Sequence, residues 1–149
     1  MDNSAPVLGG AGTDEILVRS TSGSIVLANS VSTQTATGTV TLDSAAGVSA
    51  AAAGLSTSGL RLLGSGAFNL GSASVATVAA NLAGAGSSLV LAASGPIAIG
   101  TVTSFDGVAL TSTTGITLGA APTNTVSVTA GGDIAIASPQ ASFIQAFSK

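Results

Sequence analysis

The chain has 149 residues, room for one domain; 46% of them are hydrophobic, 6% are charged, the formal net charge is −3, and Cys and His are absent. That composition excludes a disulfide framework and thiol chemistry, and it removes the commonest transition-metal ligand and general base. The three basic residues, Arg19, Arg61 and Lys149, are scattered, whereas a nucleic-acid footprint needs clustered positive charge.

The N-terminal stretch, residues 1–14, is Gly-rich and holds Pro6, Asp2 and Asp14. It has neither the basic nor the apolar region of a signal peptide, which fits a fragment better than an exported precursor. Alternating segments follow at Glu15–Arg19, Gly23–Leu27, Gly38–Asp43 and Gly59–Leu62. Nearly all of the alternating segments along the chain run small or turn residue, apolar, small or polar, apolar, the period-two pattern of a strand. Residues 45–53 are Ala-rich and read as a short helix or a bulging loop. A mean hydropathy of +0.68 raises the question of a membrane span. The longest low-polarity stretch, residues 45–59, is broken by Gly and Ser, and a span needs about 20 predominantly apolar residues.

Residues 73–84 place Val75, Val78 and Leu82 at helical spacing, but Val78 also belongs to the long periodic series described below, which favours a strand. Further strands are expected at Ser88–Leu91, Gly95–Ile99, Gly107–Leu110, Gly115–Leu118, Thr125–Val128 and Gly132–Ile136. Leu89 and Ile97, Val108 and Ile116, and Val126 and Ile134 are each 8 residues apart, enough for one strand and one corner. Residues 138–149 carry Phe143 and Phe147, spaced for a helical cap. Both ends, 1–14 and 138–149, read as end caps or fragment ends of a single domain spanning 1–149.

The organising signal is a repeat. Ile25, Leu42, Leu60, Val78, Ile97, Ile116 and Ile134 recur at intervals of 17 to 19 residues, and Phe68, Leu89, Val108 and Val126 form a second series. A unit this short cannot bury its apolar face alone and must stack on its neighbours. The expectation is an all-β solenoid of about 7 coils of 17–19 residues, roughly 30–35 Å long at about 4.8 Å per stacked strand.

Residues 59–115, with the ordered pieces LLGSGAF, VATVAAN and IAIGTV and a GITL-type strand, resemble the repeat region of filamentous-haemagglutinin-like exoproteins, the secreted partners of bacterial two-partner secretion. The flanks ILVRSTSGSIVLANSV and VSVTAGGDIAIAS extend the likeness over about residues 16–138. The resemblance implies a right-handed parallel β-helix, export to the medium or the bacterial cell surface, and a role as an adhesin shaft. A secretion domain typical of that family is not recognisable in these residues.

No catalytic, cofactor-binding or metal-ligating residue is assigned. Asp14 and Glu15 are adjacent and point to opposite faces of a strand. Asp43, Asp106 and Asp133 read as solvated residues beside turns, and the Asp106–Asp133 interval does not match a whole number of coils. A nucleophilic Ser lacks a placed base. Ala130-Gly131-Gly132-Asp133 is one incomplete copy of a calcium nonapeptide and reads as a turn, as do Gly64-Ser65-Gly66 and Gly84-Ala85-Gly86, which lack the pattern of a phosphate loop. Thr39-Val40-Thr41, Thr101-Val102-Thr103 and Thr111-Ser112-Thr113 are not spaced to stack as one ice-binding face. The expected function is a non-enzymatic structural shaft whose partners are neighbouring coils of a longer chain, with no nucleic acid and no membrane span; the receptor is not legible. An end-to-end fibre subunit is the alternative, and a carbohydrate-active β-helix enzyme the minor one.

Overall fold

The structure, a computed structural model, describes residues 7–8 (backbone only), 14–50, 54–119, 121 and 123–137. In chain order its strands are β1 (Val7–Leu8), β2 (Glu15–Ser20), β3 (Ile25–Val26), β4 (Val31–Ser32), β5 (Thr39–Ser44), β6 (Gly47–Ser49), β7 (Leu55–Gly64) and β8 (Ala67–Leu82). They continue with β9 (Ser88–Ala93), β10 (Ile97–Ile99), β11 (Thr101–Phe105), β12 (Leu110–Thr114), β13 (Ile116–Leu118), β14 (Thr125–Ala130) and β15 (Ile134–Ile136). There is no helix among the described residues.

Except for β11 and β12, every pairing is parallel. The registers sort the strands into three walls of a β-solenoid. Wall A stacks β2, β5, the second half of β7, the end of β8, then β10 and β13, with β15 last. Wall B stacks β3, β6, the start of β8, β9 and β14. Wall C stacks β1, β4, the start of β7 and the middle of β8.

Strand alternation sends every second side chain inward, and stacking in register turns those side chains into columns. On wall A one column runs Ile16–Val40–Leu60–Val78–Ile99. On wall B another runs Ile25–Val48–Phe68–Leu89–Val126. Wall C contributes Val31–Leu55–Ala73–Ala93. Together they form one largely aliphatic core whose single aromatic ring among the described residues is that of Phe68. Each residue inside such a column is desolvated from above and below as well as from the other walls, so short strands that would not hold alone become stable; Val126, at the end of its column, is 45% exposed.

Corners between walls are made by glycines where the backbone demands them. Gly64, at φ 113°, ends the wall A strand of β7, and a Cβ there would collide with the carbonyl of Ser44 one turn earlier. Only glycine adopts this conformation without strain.

The repeat differs from the expected one. Glu15 pairs with Thr39, Thr39 with Gly59 and Gly59 with Thr77, steps of 24, 20 and 18 residues, and Thr77 pairs with Ala98, a step of 21. These are about four regular turns, not 7 coils of 17–19 residues. The next step, Ile97 to Ile134, takes 37 residues because a hairpin is inserted in it. The long sequence series also mixed sites: Leu60 and Val78 share one column, Leu42 lies in the next one on the same wall, and Ile25 lies on wall B. The difference arises because corner length varies freely while wall register does not.

Two further corrections follow. Val108 is not a wall residue opposite Leu89 but lies at the hairpin tip, 86% exposed, so its 8-residue spacing to Ile116 is not a coil corner. Asp43 sits inside β5 rather than beside a turn. Residues 73–82 are strand, as Val78 in the series indicated. In the Ala-rich stretch, Gly47–Ser49 is strand β6, and residues 51–53 lie outside the described residues. So do the expected end caps, apart from β1 and Asp14.

Candidate functional site

The inserted hairpin is the most distinctive element. β11 and β12 pair antiparallel from Thr101↔Thr114 to Phe105↔Leu110, and Asp106-Gly107-Val108-Ala109 form the loop. Asp106 accepts hydrogen bonds from the N–H groups of Val108 (2.8 Å) and Ala109 (2.9 Å). These bonds hold its carboxyl below the ordinary value of 3.8; the nearby positive charges of Arg19 and Arg61 add to them, and slight desolvation opposes them. Hydroxyl pairs join the two strands on the outer side, Thr101 with Thr114 at 2.8 Å and Thr103 with Ser112 at 2.6 Å.

The hairpin lies over the outside of wall A and crosses its turns. Phe105 N–H donates to Glu15 Oε1 at 2.8 Å on the first strand of the wall. Thr41 Oγ1 donates to Ser104 Oγ at 2.8 Å on the second. Val102 is buried over Gly59, where an added Cβ would stand 3.1 Å from Val102 Cγ1 and 2.9 Å from Thr39 Cγ2. Arg61 Nε donates to Thr113 Oγ1 at 2.8 Å. Outward-facing Thr41 and Ala79 are consequently buried, and Arg61 is only 6% exposed, its Nη1 buried without a partner.

A second feature is a groove of about 410 Å³ where wall C turns into wall A, lined by Thr35, Ser56, Ser58, Ser74, Ser94 and Pro96 among others. Its hydroxyls come from successive turns: Ser56 pairs with Ser74. On the groove's inner side Thr33 donates to Thr57 at 3.2 Å, and the buried Oγ1 of Thr35 has no partner among the protein atoms. Such a surface can exchange hydrogen bonds with a polar ligand, yet no carboxylate or amine lies in its lining to move a proton.

The carboxylates are spread out and each described one has a local setting. Asp14 is buried and accepts from the N–H groups of Gln34 (2.5 Å) and Thr35 (3.1 Å). Glu15 is exposed and anchors the hairpin, also accepting from Thr39 Oγ1 at 3.3 Å. Asp43 pairs with Arg19 Nε at 2.7 Å across adjacent turns. Asp133 lies at the corner before β15 in the last turn. Asp2 lies outside the described residues. No group of three or more His, Cys, Asp or Glu is placed to hold a metal among the described residues.

The Thr-x-Thr segments do not build a common exposed face. Thr41 is covered by Ser104, and the other two segments are opposite strands of the hairpin. Gly64-Ser65-Gly66 and Gly84-Ala85-Gly86 are corners with positive-φ glycines. Sequence reasoning missed the hairpin, the burial of Arg61 and the serine row. The hairpin had a signal in Asp106-Gly107 between two alternating runs; the burial of Arg61 had none.

Comparison with protein-family models, with curated proteins and with solved structures finds no match for this chain.

Proposed function

We propose that the chain is a structural shaft segment of a secreted or cell-surface bacterial exoprotein and works without catalysis. The observation that carries this reading is the uninterrupted aliphatic core, in which columns such as Ile25–Val48–Phe68–Leu89 run along the axis through every regular turn. A stack of parallel rungs with a dry core is stiff along its axis and holds whatever lies beyond it at a set distance. The resemblance of residues 59–115 to filamentous-haemagglutinin-like repeats supports the same reading and adds export, a right-handed coil and an adhesive partner on a host or surface as parts of the proposal. The dispersed carboxylates, each with a local setting, support the absence of an acid–base pair.

One observation favours end-to-end assembly as a second reading. The inward positions of the last described turn are open: Val126 and Ile134 are 45% exposed and Ile136 is 56% exposed. At the other end Ile25 and Leu27 are buried, and an indefinite fibre needs two open ends, so the shaft reading leads. Small-angle X-ray scattering of the purified chain over a concentration series separates them. A rod of constant length supports the shaft; growth in length at constant cross-section replaces it with the fibre. Turnover of a polysaccharide by the purified chain would defeat both.

A further inference from the structure

We propose that hairpin β11–β12 is a strap that lifts from wall A as one unit while the turns beneath stay stacked, and that the guanidinium of Arg61, buried without an ion-pair partner, sets how readily it lifts.

The first support is the way the strap is rooted. Gly115 N–H donates to Gly100 O at 2.9 Å, Gly100 N–H to Val78 O at 3.1 Å, and Ala80 N–H to Gly115 O at 2.8 Å. The two roots thus bond to each other and to the wall, so the rung from β10 to β13 is closed below the hairpin. Residues 101–114 can leave without breaking a backbone bond of the wall. Gly100 and Gly115, the latter at φ 69°, are conformationally suited to act as the pivots.

The second support is the nature of the seal. Val102 is its one buried large apolar side chain; the other attachments are the hydroxyl and carboxylate contacts of Ser104, Thr113 and the Phe105 amide. The larger apolar groups of the hairpin, Phe105, Val108 and Leu110, are exposed. All the polar partners regain water when the strap lifts, so local opening is far cheaper than unfolding of the aliphatic stack.

The third is Arg61. Closing the strap buries a cation whose Nε is satisfied by a neutral hydroxyl and whose Nη1 is not satisfied at all. The charges around this interface are Arg19, Glu15, Asp43 and Asp106; the one ion pair among the described residues is Arg19–Asp43. Asp106 attracts Arg61 but forms no ion pair with it, and a buried charge with no paired counter-charge disfavours the state that buries it. The closed strap is therefore poised, and its opening uncovers Thr39, Thr41, Arg61 and Ala79 over three turns. This inference stands whether or not the chain is a shaft.

Hydrogen exchange read by mass spectrometry on the unmodified chain tests the strap. Amides of β11 and β12 are expected to exchange together, at least tenfold faster than those of β5 and the second half of β7. Equal rates would show that the hairpin opens only with the whole domain and would overturn the strap. For Arg61, a Ser104→Cys variant supplies a single thiol in an otherwise Cys-free chain, shielded when the strap is closed. Adding Arg61→Met should slow its labelling at least threefold. An unchanged or faster rate would make Arg61 an anchor and overturn the role given to it. If Arg61→Met does not fold, Thr113→Val reports instead: it removes the acceptor of the Nε bond, adds to the unpaired burial and should speed labelling, an unchanged or slower rate overturning the role.

Discussion

Leu89 and Val108 sit in one sequence series at nearly the same spacing, and the fold gives them opposite environments. Leu89 is fully buried in the wall B column between Phe68 and Val126, while Val108 is 86% exposed at the hairpin tip. Truncating a buried Leu to Ala costs about 2–5 kcal/mol, depending on how far the site collapses. Phe68 below is fully buried and cannot relax far, but Val126 above is 45% exposed, so water reaches one side of the gap. That places Leu89→Ala near the middle of the range, at about 3 kcal/mol. For a domain of this length it corresponds to a fall in Tm of roughly 6–12 °C. Val108→Ala removes a side chain already in water and should stay within about 0.5 kcal/mol. The chain has no Trp or Tyr, so far-UV circular dichroism is the probe, with urea unfolding as a second measure because stacked repeats need not unfold in two states. Equal losses for the two variants would refute the assignment of one to the core and the other to the tip.

Gly59→Ala introduces a methyl group 2.9 Å from Thr39 Cγ2 and 3.1 Å from Val102 Cγ1; it should cost about 1–3 kcal/mol as an overpacked site and speed amide exchange in β11 more than in β5. Arg19→Ala removes an ion pair whose side chains are 39% and 27% exposed, so its effect in urea melts should be at most about 1 kcal/mol and should shrink with added salt. Asp106 has a folded-state value below its unfolded one, so its contribution to the loop is complete above the ordinary carboxylate value and is lost as the pH falls through the depressed one. Amide protection of Val108 and Ala109 should decline in that acid range, after correction for intrinsic exchange, and Asp106→Ala should show no such step.

Much of the wall was legible because alternation reports burial directly. Ile25, Leu42, Leu60, Val78 and Ile97, picked out by spacing, are all buried, and Gly64 and Gly84 mark corners as their neighbours implied. Alternation, however, does not distinguish a strand paired in parallel with the next coil from one paired antiparallel in a hairpin. Residues 107–110 therefore read as a wall strand, although Asp106-Gly107 lay there as a hairpin signal. The burial of Arg61 was out of reach for another reason: it depends on Thr113, 52 residues away, brought over it by an insertion that no period predicts. The groove shows a third limit. Ser56 and Ser74 look alike among many serines until register puts them side by side.

The joint between Gly100 and Gly115 also bears on how such a chain lengthens. The rung on wall A continues from Ile99 to Ile116 as though residues 101–114 had been spliced in, because the backbone bond between the two glycines closes the gap. Material can accordingly be added at mid-wall, not only at corners, without shifting the inward register of anything downstream. Such a point is a ready graft site for foreign loops. A designed peptide exchanged for this hairpin would be displayed along the flank of the solenoid, where several turns lie within its reach.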